Sequence, residues 1–273
     1  MRLVDSHCHL QAERLAPDAD DLIERARQAG VERILVPGWN AWSSQAALEL
    51  VGRYPRLDAA VGVHPHDAAK VSDGEWARIA VLAHDPRVLA IGETGLDYNR
   101  VFSPIDDQLA NLRRNLALAA ETDKPAILHC RSGAGSRVAQ DALLAEVRRM
   151  PGVRVVIHSF SGPVDYAEAM LDVGAVISIS GLAFRRGEEA TAEVAALIPA
   201  DRILVETDSP FLSPPGAPRS RNTPEWVRLT ADWVRGCRSE AESDFGARLV
   251  ATYDDTFRRA LPRPSTPEPQ PAS

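Results

Sequence analysis

Three cysteines among 273 residues are too few, and odd in number, for a disulfide framework. A reducing, cytoplasmic location is the simplest expectation. No apolar run reaches the roughly 18–20 residues that a membrane helix needs. The opening Met1-Arg2-Leu3-Val4-Asp5 turns polar too soon for a secretory leader. Lysine is almost missing: Lys70 and Lys124 stand beside 29 arginines. The formal net charge of -7 argues against a protein that coats nucleic acid by counterion release. It leaves room for an enzyme that grips phosphates locally. Aromatic residues make up only 5%, which limits stacking on unpaired bases as a general binding mode. No long exposed apolar stripe stands out, so a monomer is expected. What remains, 45% apolar and 25% charged, is ordinary globular composition and excludes a wholly disordered chain.

Short β-branched-rich apolar runs recur along the chain. They are Leu3-Val4, Ile34-Leu35-Val36, Ala59-Ala60-Val61, Val88-Leu89-Ala90-Ile91, Ala126-Ile127-Leu128, Val153–Ile157, Ala175–Ile179 and Ile203-Leu204-Val205. None alternates cleanly with polar residues, as expected for parallel strands buried on both faces. Stretches of helical period lie between them: Asp18–Ala29, Ser43–Arg53, Asp73–Ala83, Pro104–Glu121, Gly135–Met150, Val164–Val173, Glu188–Leu197 and a segment from Thr223 to Val234. Eight βα units at about thirty residues each predict an α/β fold, a closed (β/α)8 TIM barrel, rather than an open sheet. A further helix over Ser239–Ala260 packs outside. The barrel domain is expected over residues 1–261. Pro262–Ser273, with five prolines, is expected to be a disordered tail.

Five of the apolar runs end in metal-binding residue types. Strand one leads into His7-Cys8-His9, strand four into Gly92-Glu93, strand five into His129, strand six into His158 and strand eight into Glu206-Thr207-Asp208. In a parallel barrel all strand C-termini meet at one face, so residues 200 positions apart converge there. His7 and His9, two apart, both turn into the mouth and Cys8 turns away. A set of His7, His9, His129, His158, Glu93 and Asp208 suits Mg, Mn, Zn or Fe rather than a closed thiolate site. Six ligands exceed what one tetrahedral ion uses, and two ions bridged by one carboxylate are the economical solution. Glu93, on a central strand, is the candidate bridge. Asp208 is the candidate to take the proton from an attacking water.

These segments carry a resemblance. His7-Cys8-His9, Gly92-Glu93-Thr94-Gly95-Leu96-Asp97-Tyr98, Leu128-His129, His158-Ser159-Phe160-Ser161-Gly162 and Glu206-Thr207-Asp208-Ser209-Pro210 resemble the TatD family of metal-dependent hydrolases, in order and spacing, over the chain to about Leu261. The resemblance implies an amidohydrolase-like TIM barrel, a divalent-metal site and deoxyribonuclease activity, often 3′–5′ on single-stranded ends. His7, His9, Glu93, His129, His158 and Asp208 match the family's ligand positions. Gly62-Val63-His64-Pro65-His66 resembles a further family segment near the site. His64 is assigned to substrate or phosphate contact, His66 to a structural turn, and His84 to a helix C-terminus. Arg131, beside His129, and Arg221 with Asn222, in the loop after strand eight, are the candidate phosphate contacts. Phe160, Tyr98 and Phe184 are the loop aromatics, with core packing favoured for Phe160. Gln11, Leu112 and Asn115 depart from residues common in the family.

Two other readings compete. One is a small-molecule hydrolase of amides, esters or lactones. Many such barrels use a carboxylated lysine at the end of strand four, where this chain has Glu93, and neither Lys70 nor Lys124 is placed to serve. The other is a metal-binding adaptor without activity, which the full ligand set disfavours.

Overall fold

The computed structural model describes residues 1–259, so the Pro262–Ser273 segment lies outside the described residues. Eight parallel strands follow one another in chain order around a single sheet. They are β1 (Leu3–Asp5), β2 (Val31–Pro37), β3 (Leu57–Val61), β4 (Val88–Asp97), β5 (Ala126–Arg131), β6 (Val155–Ile157), β7 (Val176–Ile179) and β8 (Ile203–Val205). The sheet closes where Ser6 N–H donates to Val205 O and Cys8 bridges Ser209 in parallel. Each strand is followed by a helix, from α1 (Ala19–Gln28) through α2 (Ala41–Arg53), α3 (Asp73–Ala83), α4 (Ile105–Thr122), α5 (Val138–Arg148), α6 (Val164–Asp172) and α7 (Thr191–Leu197) to α8 (Val227–Arg238). The expected extra helix, α9 (Glu242–Phe257), lies against β1 and β8 and buries Phe245, Leu249, Tyr253 and Phe257. No helix among the described residues is long and apolar enough to cross a membrane.

The eight runs of the sequence all become strands, because each is apolar on both faces and lies between the inner core and a helix. Helix starts differ by a few residues, for local reasons. Asn40 and Ser43 form a reciprocal capping box, so α2 begins at Ala41 rather than Ser43. Gly135 takes a left-handed conformation and Ser132 Oγ receives the Ala139 N–H, which delays α5 to Val138. Thr223-Pro224-Glu225 opens as a 3-10 turn before α8.

At the floor of the barrel Asp58 is buried and accepts from Tyr253 Oη at 2.9 Å and from Arg258. This ties the start of β3 to the end of α9 and leaves the opposite face to chemistry. At that face β4 is the longest strand, and its register with β5 shifts between Ile91 and Thr94. The shift turns Glu93 inward. Gly95, at φ 140°, lets β4 lie against β5: a Cβ there would come within 2.0 Å of His129 O.

Candidate metal centre

Hydrogen bonds between the segments after β1 and β8 bring the first ligand group together. Asp208 N–H donates to His7 O (2.9 Å) and His9 N–H to Ser209 O (2.8 Å). Asp5 accepts from Thr207 N–H (2.9 Å) and Oγ1 (2.6 Å) and pulls the ends of β1 and β8 together beneath the histidines. Burial pushes the Asp5 carboxyl up to about 8, and its bonds to Thr207 only partly offset this.

Glu93 is the hub. Its Oε2 lies 3.2 Å from His7 Nε2 and 3.6 Å from His9 Nε2. Its Oε1 lies 3.0 Å from His129 Nδ1, 3.2 Å from His64 Nε2 and 3.3 Å from His158 Nε2. Asp208 Oδ1 completes the first group at 3.5 Å from His9 Nε2 and 3.8 Å from His7 Nε2. His7 Nε2 and His9 Nε2 are themselves 3.2 Å apart. Of the seven histidines of the chain only His84, half-exposed at the end of α3, stands away from this region.

The donor set fits cations. A carboxylate offers about four lone-pair positions, and five ring nitrogens crowd the two oxygens of Glu93. Burial opposes protonating the His7 and His64 rings. It pushes His7 down to about 3 and His64 down to about 4, against the pull of Glu93. Burial also penalises the Glu93 carboxylate, but His64, His158 and His7 outweigh it and hold its pKa well below the usual range. Buried His7 Nδ1, His9 Nδ1 and His129 Nε2 lack hydrogen-bond partners. Cations would supply positive charge where the neutral His7 and His64 rings cannot. Three overlapping groups could hold them: His7, His9 and Asp208; His7, Glu93 and His158; and His64, Glu93 and His129.

Two carboxylates back the rings. Glu206, fully buried, lies 2.7 Å from His158 Nδ1 and accepts the Ser159 N–H at 2.7 Å, with Ser159 held at φ 47°. Burial opposes a charge on His158, yet Glu206 and Glu93 hold its pKa well above the usual value. Asp97 accepts from Asn99 N–H and Arg100 N–H and lies 2.6 Å from His66 Nε2 and 3.5 Å from His129 Nε2. Carboxylates behind metal-facing imidazoles set ring orientation and basicity. Glu206→Ala should therefore lower divalent-cation affinity by about 10–100-fold, as measured by calorimetric titration with manganese. Affinity equal to wild type would remove Glu206 from the support of His158.

The cluster forms the base of a cavity of about 640 Å3 walled by Trp39, Lys70, Arg100, Phe102, Arg131 and Phe211 among others. Arg131 is on this wall as expected, with Nη1 2.9 Å from Glu188 Oε1. His64, assigned to substrate or phosphate contact, lines the cavity with its Nε2 3.2 Å from Glu93 Oε1. Its Nδ1 accepts the His66 N–H at 3.0 Å, and this turn swings Nε2 onto Glu93. His66 is more than a turn residue, since it shares the cavity wall with Asp97. Arg221 and Asn222 do not reach the cavity. Arg221 pairs with Asp18 at 2.7 Å, and Asn222 is fully buried with both amide hydrogens committed to Thr207 O and Phe211 O. A spent donor has none left for a phosphate, so Asn222 holds the loop that carries Asp208. Phe160 is core, stacked on Tyr166, and Phe184 packs on Trp233. The departures Gln11 and Asn115 are buried and bonded to Pro37 O and Asn111 O. Sequence reasoning missed Trp39, Phe102, Phe211 and the role of Glu206. Their only signal was position just past the C-terminal ends of β2, β4 and β8.

A histidine–carboxylate cluster at the C-terminal mouth of a (β/α)8 barrel stands where this fold carries its active sites, and its donors are those of a divalent-metal enzyme. Residues 4–258 match the family described as TatD related DNase. The chain is 38% identical over 267 residues to a protein of Erwinia billingiae named 3′-5′ ssDNA/RNA exonuclease TatD, covering 94% of this chain and 99% of that one. It is 35% identical to an uncharacterized metal-dependent hydrolase, YabD, of Bacillus subtilis, over 85% of this chain and 89% of that one. The crystal structure of YJJV, a TatD homolog from Escherichia coli, superposes with a TM-score of 0.86 at 29% identity, covering 94% of this chain and 98% of that one. The chain belongs to the TatD family of metal-dependent hydrolases.

Proposed function

We propose that this protein hydrolyses phosphodiester bonds of nucleic acid, acting as a 3′–5′ exonuclease on single-stranded ends. The observation that carries the reading is Glu93, whose Oε2 faces the ring nitrogens of His7 and His9 and whose Oε1 faces those of His64, His129 and His158. Such a carboxylate suits two divalent ions side by side, and a ring-nitrogen-rich set favours zinc over magnesium. When bound, paired ions polarise the phosphoryl oxygens and make water acidic enough to attack near neutral pH. The chain's own residues do the rest. Glu93 fixes the spacing of the two groups, and Glu206 and Asp97 orient His158 and His129. Asp208 is the partly exposed carboxylate at the open side of the cluster, where it can accept the proton of the attacking water. The name of the Erwinia relative supports a nucleic-acid substrate.

The test is a panel on manganese- and zinc-reconstituted protein, with end-labelled single-stranded DNA, duplex DNA, RNA, and simple esters and lactones side by side. Stepwise loss from 3′ ends of single strands is expected. Turnover of lactones or esters with intact oligonucleotides would replace the nuclease reading with the small-molecule one.

A further inference from the structure

Three aromatic side chains are strongly exposed among the described residues: Trp42 (63%), Phe102 (62%) and Phe211 (52%). All three belong to the mouth of the cavity or its margin. Phe102 stands edge-on to His66 with ring centroids 4.7 Å apart, on the side of His64 and His129. Phe211 stands edge-on to His9 at 6.2 Å, on the side of the His7–His9–Asp208 group. Trp39 flanks His9 at 5.2 Å, and Trp42 leans on Trp39 at 6.1 Å. The ligand cluster thus has one open ring on each side. In a chain with so few aromatics, leaving these rings in water forgoes their burial, and such exposure marks a contact surface.

The loops that carry the rings are braced rather than loose. Residue Val101, β-branched, is held at φ 46°, and Leu212 at φ 52°, conformations that side chains of this kind rarely adopt. Asp97 Oδ1 receives the N–H groups of Asn99 and Arg100, while Ser103 Oγ donates to His66 O at 3.0 Å. On the other side Phe211 N–H donates to Asp208 O, and Phe211 O accepts from Asn222. Strained backbone held by directed bonds beside a site is a device for aiming a side chain. Each ring is therefore positioned by a carboxylate residue that also serves the cluster.

Resting on the nuclease reading above, we propose that Phe102 and Phe211 are base-stacking platforms that hold the two nucleotides flanking the scissile phosphodiester, one base on each ring. A phosphodiester seated over the cluster places one nucleoside toward β4 and the other toward β8, where the rings stand. Lys70 and Arg100, on the Phe102 wall, lie where the strand's further phosphates run. Stacking accepts any base through its π-face, so this grip tolerates sequence but requires unpaired bases.

The experiment uses manganese-loaded full-length protein and a single-stranded DNA, intact or with one abasic sugar at the 3′-terminal or the penultimate position. Phe102→Leu and Phe211→Leu should each raise KM on the intact strand about tenfold or more, with kcat moving little. On a strand that lacks the base a given ring covers, that ring's substitution should cost nothing further. The two variants should respond to abasic sugars at different, neighbouring positions. Phe102→Trp and Phe211→Trp should restore KM. Wild-type KM in both leucine variants, or losses that add regardless of the missing base, would overturn the platforms while leaving the nuclease reading intact. Failure of the wild type to cleave any strand would sink that reading and the platforms with it.

Discussion

Glu93→Ala should cut turnover by about three orders of magnitude or more while the barrel still folds. The expectation rests on how many jobs the one side chain holds. Both oxygens of Glu93 are engaged, one by His7 and His9 and the other by His64, His129 and His158. Removing them takes away a shared ligand and the negative charge that balances the cluster, so metal stoichiometry should fall below two per chain. The fold does not hang on this group. The strands are held by backbone bonds and by apolar residues on both faces, and the floor is tied separately through Asp58, Tyr253 and Arg258. Glu93→Gln keeps the volume and one acceptor, and should retain more metal than alanine does. The measurement is kcat at saturating manganese, with bound metal counted on the same sample and thermal unfolding followed by circular dichroism. Full activity in a metal-loaded, folded Glu93→Ala protein would remove Glu93 from the chemistry.

The cluster is legible in the sequence because the topology is parallel. A strand buried on both faces announces itself as a β-branched run, and its C-terminal end is the next residue or two. His7, His9, His158 and Asp208 lie just past the ends of β1, β6 and β8, and Glu93 and His129 follow the apolar runs inside β4 and β5, so a one-dimensional pattern locates a three-dimensional site. Beyond the strand ends the period that carries direction is lost. His64 and His66 lie where the chain turns into a 3-10 segment, Pro65–Asp67, and only the His66 N–H bond to His64 Nδ1 shows which way the first ring swings. Arg221 and Asn222 sit in a loop at the right rim, but one pairs with Asp18 and the other is consumed by its own loop. Phe102 and Phe211 follow left-handed or strained turns that no apolar periodicity encodes. Glu206 is visible as part of a motif, yet its partner His158 lies 48 positions earlier, and only the closed barrel brings them together.

Stripping the divalent cations should abolish hydrolysis and lower the melting temperature, and adding manganese or zinc should restore both. Saturating a site stabilises the folded chain by about 2.7 kcal/mol at a hundred times Kd, which is about 5 °C or more for a chain of this size. The pH dependence of loading has a definite sign. Burial keeps His7 and His64 neutral, at about 3 and about 4, so they accept a cation without releasing a proton. His158 and His129 are different. Burial works against their charge, but Glu206 and Glu93 for the first, and Asp97 and Glu93 for the second, hold both above the usual histidine value. A cation must displace those protons, so loading near neutral pH should release protons to buffer and the affinity should fall as pH is lowered. Calorimetric titrations in buffers of different ionisation enthalpy count the protons directly. Glu206→Ala should reduce the count, because His158 then loses the partner that keeps it protonated. Hydrolysis that persists through exhaustive chelation, or loading that releases no proton at pH 6, would place the reaction somewhere other than this cluster or its cations on other donors.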